Sequence, residues 1–215
     1  MAHRGNPVSS FYFYTMDLVS NLQQVREAIV GATGMSQKAF DLSIPYWQYK
    51  QYKKGEFFNE YKSVCKNLGF VLDGVFRIYW SNPTTGDEKN MLFFTPRQFV
   101  TSYQSFLTQT PCNYYTESMV PAAILYIHID RLHELYKESH EWERFGRILA
   151  ELAFATSMKS TEGFLLHTAE ERYLQMIDDH PTIFNSVPLY HIASYLGIQG
   201  PSLSRIRKRI HPRQE

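Results

Sequence analysis

The sequence predicts an α+β protein: a β jelly roll, then one long helix, then a helix-turn-helix. Three observations carry this expectation. Between about residues 45 and 130, apolar and polar residues alternate in short runs, as half-buried strands require. From Asp130 the apolar spacing returns to threes and fours, the period of a helix. The chain then closes on two short apolar-periodic segments separated by Gly197, the second of them rich in cations.

Composition sets the outer bounds. At 215 residues, with 44% hydrophobic residues, the chain is expected to hold one or two domains with cores of their own. The net charge is only +1, so affinity for nucleic acid must come from a local patch. Cys65 and Cys112 are too few and too far apart for a disulfide framework or a zinc cluster, and are expected as buried thiols in a reducing compartment. No apolar run reaches the ~18 residues of a membrane span, and Met1–Gly5 leads into no signal-peptide core. The expected location is cytoplasmic, without a membrane partner.

Residues 1 to about 15 are expected to form a loose leader. Leu18, Leu22, Val25 and Ile29 then predict a short helix from Asp17 to Val30, capped by Asp17 and stopped by Gly31. Trp47–Lys53 alternates as a strand. Phe70–Trp80 is expected as two strands joined in a hairpin by Asp73-Gly74. Asn82–Asp87 forms a turn before the strand Met91–Phe94, and Asn113–Met119 and Ala122–Ile129 supply two more strands. Short strands at this spacing indicate a sandwich or jelly roll.

Leu135, Trp142, Phe145, Leu149 and Leu152 form an apolar seam beyond the strands. Trp142 and Leu149 share a heptad position, and a helix lying between two domains favours self-pairing through such a seam. The helix is expected from about Trp142 to Met158, with Ser160–Gly163 as a hinge and residues 164–180 as the next helix. The boundaries follow: leader and helix over 1–41, jelly roll over 42–130, pairing helix over 131–160, and a helix-turn-helix module over 161–215.

In that module Pro188 suits a helix start, Leu189, Ile192, Ala193 and Leu196 give one apolar face, and Gly197 suits a left-handed turn. A second helix opens at Gly200-Pro201-Ser202, with Leu203, Ile206 and Ile210 facing inward. Its other faces carry Ser202, Ser204, Arg205, Arg207, Lys208 and Arg209. Beyond Glu171 the only acids are Asp178, Asp179 and Glu215. A helix, a glycine turn and a basic helix are what a major-groove reader needs. Arg207, Lys208 and Arg209 are expected to neutralise phosphates. Ser202, Ser204 and Arg205 are expected to approach bases, with Arg205 as the principal reader and Gln199 as a further candidate.

Ile192-Ala193-Ser194-Tyr195-Leu196-Gly197-Ile198 and Ser202-Leu203-Ser204-Arg205-Ile206-Arg207-Lys208, preceded by Glu171-Arg172-Tyr173-Leu174, resemble the C-terminal domain of bacterial Crp/Fnr-family regulators. The likeness extends more weakly upstream, where Gly69–Trp80 is similar to a hairpin of the family's cyclic-nucleotide-binding-like domain. The resemblance implies a sensor jelly roll, a long dimerisation helix and a winged-helix-like DNA-binding domain. It implies a homodimer on a palindromic operator, with double-stranded DNA and RNA polymerase as partners. One departure is that Gly200-Pro201 stands where relatives often carry polar base readers.

The resemblance also implies an effector region at about Thr95–Thr116. Cyclic-nucleotide-binding relatives have a glycine-acid turn and an arginine there. This chain has Arg97-Gln98 and Pro111-Cys112-Asn113, so cyclic AMP is not expected, and the effector is either absent or of unassigned chemistry. Two cysteines do not suffice for an iron–sulfur cluster, a haem sensor would need an axial His or Cys that the sequence alone leaves open, and no cofactor is expected. His128, Asp130 and His133 could suggest a metal site, but a strand end and a helix start need not bring them together. No phosphate loop, nucleophile elbow or Ser/His/Asp arrangement occurs, and an enzyme is not expected. The competing class is a cupin-like small-molecule-binding or enzymatic sandwich whose helical module binds no DNA.

Overall fold

The computed structural model describes residues 7–210, Thr182 excepted. Helix α1 spans Pro7–Thr33. The stretch expected as a loose leader is therefore helical from Pro7, and residues 1–6 lie outside the described residues. No glycine or proline interrupts the sequence from Val8 to Val30, so nothing breaks the helix that Pro7 opens. Its stop is Gly34 rather than Gly31: Gly34 has φ +69° and donates to the Val30 carbonyl at 2.7 Å.

A short helix α2 (Gln37–Asp41) and a 3₁₀ turn at Ile44–Tyr46 lead into the strands. These are β1 (Gln48–Tyr52), β2 (Phe57–Asn59), β3 (Asn67–Asp73), β4 (Phe76–Ser81), β5 (Glu88–Phe94) and β6 (Phe99–Val100), then β7 (Tyr115–Ser118) and β8 (Ala122–His128), with helix α3 (Tyr103–Thr108) between β6 and β7. They form two four-stranded antiparallel sheets, ordered β1-β8-β3-β6 and β2-β7-β4-β5. The jelly roll is as expected, but Asp73-Gly74 is not a hairpin turn. Strand β3 pairs with β8 and β6, whereas β4 pairs with β5 and β7, so the chain crosses between sheets at Gly74. A Cβ on Gly74 would lie 2.4 Å from the Ala122 Cβ, and its φ is +85°. Only glycine makes so close a crossing without strain.

Helices α4 (Ile129–Glu138) and α5 (His140–Leu166) follow. Leu68, Phe70, Leu125 and Ile127 on the outer face of the β1-β8-β3-β6 sheet share a core with Val25, Ile29, Phe40, Leu132, Leu135, Trp142 and Phe145. Val71, Ile124 and Phe76 fill the space between the sheets. The expected pairing seam is corrected here. Leu135, Trp142 and Phe145 are at most 2% exposed, enclosed by the protomer's own α1, α2 and first sheet, and Leu149 packs on the same core. Of the five, only Leu152 is exposed. The expected hinge at Ser160–Gly163 is likewise continuous helix within α5.

The C-terminal module comprises α6 (Ala169–Asp179), α7 (Ile183–Ser186), α8 (Leu189–Tyr195) and α9 (Gly200–Ile210). Among the described residues no strand follows β8. Tyr173, Met176, Ile183, Val187, Ile192, Leu196, Leu203 and Ile206 form its core, which continues onto Val75, Phe93 and Met119 of the sandwich. The layers are thus helices, sheet, sheet and helical module.

Candidate nucleic-acid interface

The module is anchored at its start by a capping box. Thr168 Oγ1 accepts from the Glu171 amide, and Glu171 Oε2 accepts from the Thr168 amide at 2.7 Å. The Thr168 amide and then its hydroxyl, both donating to Glu171 Oε2, hold the Glu171 carboxyl below the usual range, because they favour its charged form. The next residue, Arg172, reaches across the module. Its guanidinium donates to the carbonyl of Leu196 at 2.9 Å and to that of His167 at 2.6 Å, with the Phe164 ring 5.0 Å away. One cation therefore satisfies carbonyls at the end of α8 and at the end of α5.

The turn follows the expected pattern. Gly197 has φ +68°, and a Cβ there would come within 3.0 Å of the Phe164 ring. Its amide donates to Ser194, and that of Ile198 to Ala193, which closes α8. Helix α9 then begins with the Ser202 and Leu203 amides bonded to the Gln199 carbonyl. Leu203 and Ile206 are buried, so α9 is held by its inner face.

The seven expected DNA contacts divide into three groups. Gln199, Ser204, Arg205 and Lys208 are exposed; Ser204, Arg205 and Lys208 share the outward face of α9 by helical spacing. Arg205 lies along the first turn, its guanidinium 3.4 Å from Ser202 Oγ and from the Pro201 carbonyl. Ser202 and Arg207 are half-buried, and Arg207 Nε is enclosed without a hydrogen-bond partner among the described residues. Arg209 is ion-paired to Glu170 of α6, so it braces the module rather than offering an unengaged cation.

A second surface adjoins the first. From Ala150 to Leu166, α5 stands largely clear of the protomer. Phe154, Met158 and Leu165 are 68%, 42% and 77% exposed and, with Thr161, recur at i, i+4, i+7 and i+11. They lie on the opposite side of the helix from Trp142 and Leu149. The sequence reading missed this seam because the stronger Trp142 series drew the helix toward the protomer core.

The other candidate groups serve the fold. His128 caps α4 by accepting from the Asp130 amide, and His133 lies 5.9 Å from the Tyr136 ring. Among the described residues no group of three or more His, Cys, Asp or Glu side chains is placed to hold a metal, and no helix is long and apolar enough to cross a membrane. Cys65 and Cys112 are buried free thiols, and burial raises the Cys65 pKa. In the expected effector region the polar groups satisfy one another: Ser102 Oγ lies 3.0 Å from Thr116 Oγ1, and Ser105 Oγ donates to the Thr110 carbonyl. Arg97 pairs with Glu27 of α1 at 3.4 Å.

No family model matches the chain, and no curated protein matches it. Solved structures do. FixK2 from Bradyrhizobium japonicum superposes with a TM-score of 0.66 at 14% identity, over 77% of this chain and 84% of that one. The chain has the Crp/Fnr fold. The same fold relates it to the catabolite activator protein of Thermus thermophilus, at TM-score 0.54 and 15% identity over 85% of this chain and 86% of that one. The c-di-GMP-responsive global regulator CLP of Xanthomonas campestris gives 0.59 and 14%, over 82% and 92%. In this chain α5 is the long helix that leads from the sheets to the C-terminal helices, and α8, the Gly197 turn and α9 form a helix-turn-helix arrangement.

Proposed function

We propose that this chain is a DNA-binding transcription regulator that acts as a homodimer on a roughly palindromic site. The observation that carries the reading is α9: a helix fixed by its apolar side and by the Gly197 turn, with Ser204, Arg205 and Lys208 exposed on the opposite face. A cation beside a short hydroxyl residue at the start of a presented helix suits base edges and phosphates together. Structures that share the fold include a catabolite activator protein and a global regulator, which supports the same reading.

The exposed part of α5 supports the second copy. A helix whose last four turns touch little of their own protomer gains little from packing, yet this one presents Phe154, Met158 and Leu165. Covering that seam with its equivalent in a second chain pairs two α9 helices, and paired groove readers of this kind bind half-sites about one helical turn, roughly 34–36 Å, apart. Arg205 then reads a base in each half-site, and Lys208 holds a phosphate.

A shift assay against mixed duplex DNA at increasing salt tests the proposal. The expected result is a complex whose log affinity falls linearly with log salt. No complex at low salt would overturn it.

A further inference from the structure

Strand β5 is an edge strand of its sheet, and α8 lies against it. Ser194 Oγ accepts from the Asn90 amide at 3.1 Å and donates to the Glu88 carbonyl at 3.0 Å. One hydroxyl thus makes the two bonds a neighbouring strand would make. The Tyr195 ring lies tilted against Phe93, with ring centroids 5.4 Å apart.

Beside this contact is a cationic group that the DNA-reading surface does not use. Arg77 of β4 is 4% exposed. Its guanidinium donates to Glu88 at 2.5 Å and to Glu117 at 2.7 Å and lies 3.8 Å from the Tyr79 ring centroid. The same Nη1 lies 2.8 Å from His191 Nδ1 on α8, and Asn90 accepts from it at 3.2 Å. Arginine only donates, so His191 Nδ1 accepts and the imidazole carries its proton on Nε2. His191 is 4% exposed. The sandwich side of this cluster is fixed by two carboxylates, the Asn90 side chain and a ring, and among the described residues the module meets Arg77 through His191 of α8.

We infer that Arg77 is a positioning residue for DNA reading: through His191 it fixes the orientation of α8 on the sandwich, and so the half-site spacing that a dimer accepts. The inference rests on the DNA-binding reading above. The docked arrangement leaves Gln199, Ser204, Arg205 and Lys208 exposed, so the contact holds the reading helix in an open posture rather than covering it. Rigid attachment matters because two α9 helices held at a fixed separation match one operator spacing. Two helices on loose modules match several.

Amide exchange and operator selection on the full chain test this together. His191→Leu removes the acceptor and leaves Arg77 paired to both glutamates, whereas His191→Asn puts an amide oxygen where Nδ1 lies. Arg77→Gln removes the donor from the sandwich side. In Arg77→Gln and His191→Leu, the α8 amides and the Asn90 amide should exchange roughly tenfold faster, with β3 and β8 unchanged. His191→Asn should restore protection. In selections with a randomised central spacer, the same two variants should keep the wild-type half-site but accept spacers about two base pairs longer or shorter.

Unchanged exchange in His191→Leu overturns the clamp. Faster exchange with a single retained spacer reduces the contact to fold stability, and tighter DNA binding by His191→Leu makes it inhibitory; either result overturns the positioning role. If Arg77→Gln also loosens β3 and β8, the sandwich itself has failed and the two His191 variants decide. If the wild-type chain binds no DNA, the DNA-reading proposal falls and takes the spacing role with it, while exchange still decides the clamp.

Discussion

The Trp142 indole N–H donates to the Ala39 carbonyl at 2.8 Å, tying the start of α5 to α2 inside one protomer. Glu141 strengthens the same junction by accepting from the Ser36 amide and hydroxyl. Trp142→Ala should therefore act on folding. Its loss should cost about 3–5 kcal/mol in a denaturant titration, with little effect on association measured well below the unfolding transition.

Association should instead follow the other side of the helix. Phe154→Glu combined with Leu165→Glu places charges in the exposed seam and removes two large apolar surfaces. Sedimentation should show monomer at micromolar concentration with the denaturation midpoint close to wild type. A dimer that survives the double substitution would locate the seam elsewhere.

Arg205 and Lys208 should fail in different ways. Arg205→Ala should relax preference at one position in each half-site, about 1–3 kcal/mol of discrimination, while keeping most non-specific affinity. Lys208→Ala should weaken all sequences alike and lower the salt slope by about one per subunit. Arg209→Ala should act differently again, by releasing Glu170 and loosening α9 on α6. Site selection from random DNA, with a salt titration for each variant, separates the three.

The His191 contact gives the docked module a pH dependence. Burial, then the neighbouring charges of Arg77 and Lys54, push the His191 pKa down to about 4 against an ordinary 6.5, with Glu88 opposing. The Tyr190 ring lies tilted against the imidazole, and Glu117 faces the same guanidinium. Between these values an undocked His191 binds the proton more readily than a docked one, so docking is favoured as pH rises. Its contribution should be complete above about pH 6.5 and fade as the pH falls toward 4. The Ser194 amide resonance should report this, and His191→Asn should flatten the profile.

Gly74→Ala tests the crossing between the sheets. The new Cβ would meet Ala122 and the Pro121 carbonyl at a φ of +85°. A loss of at least ~2 kcal/mol is expected from conformational strain and crowding together, read as a lowered melting temperature.

What the sequence made legible was what is local. The α8–Gly197–α9 turn was readable because its glycine, its apolar spacing and its cations lie within two dozen residues. Gly74 shows where local reading ends. Asp-Gly announces a positive φ, but not which strands flank it in a sheet, and here they belong to different sheets. The Trp142 series announces a buried stripe without saying whether a second chain or the protomer's own helices bury it. Arg77 gave less still. Strand alternation puts it on an outer face, the usual place for a solvated arginine, and its covering residue lies 114 positions later. Likewise, Arg209 counted as a free cation until α6 brought Glu170 beside it.

Ser194 has one more consequence, for solubility. By taking the Asn90 amide and the Glu88 carbonyl, it occupies part of the open margin of β5. Undocking the helical module would bare that margin together with Phe93, beside the already exposed Met91, and offer a template for a strand of another molecule. Lys89, exposed on the same strand, is a charge that discourages such pairing. Any signal that frees the module therefore also exposes the protein to aggregation for as long as the module stays away.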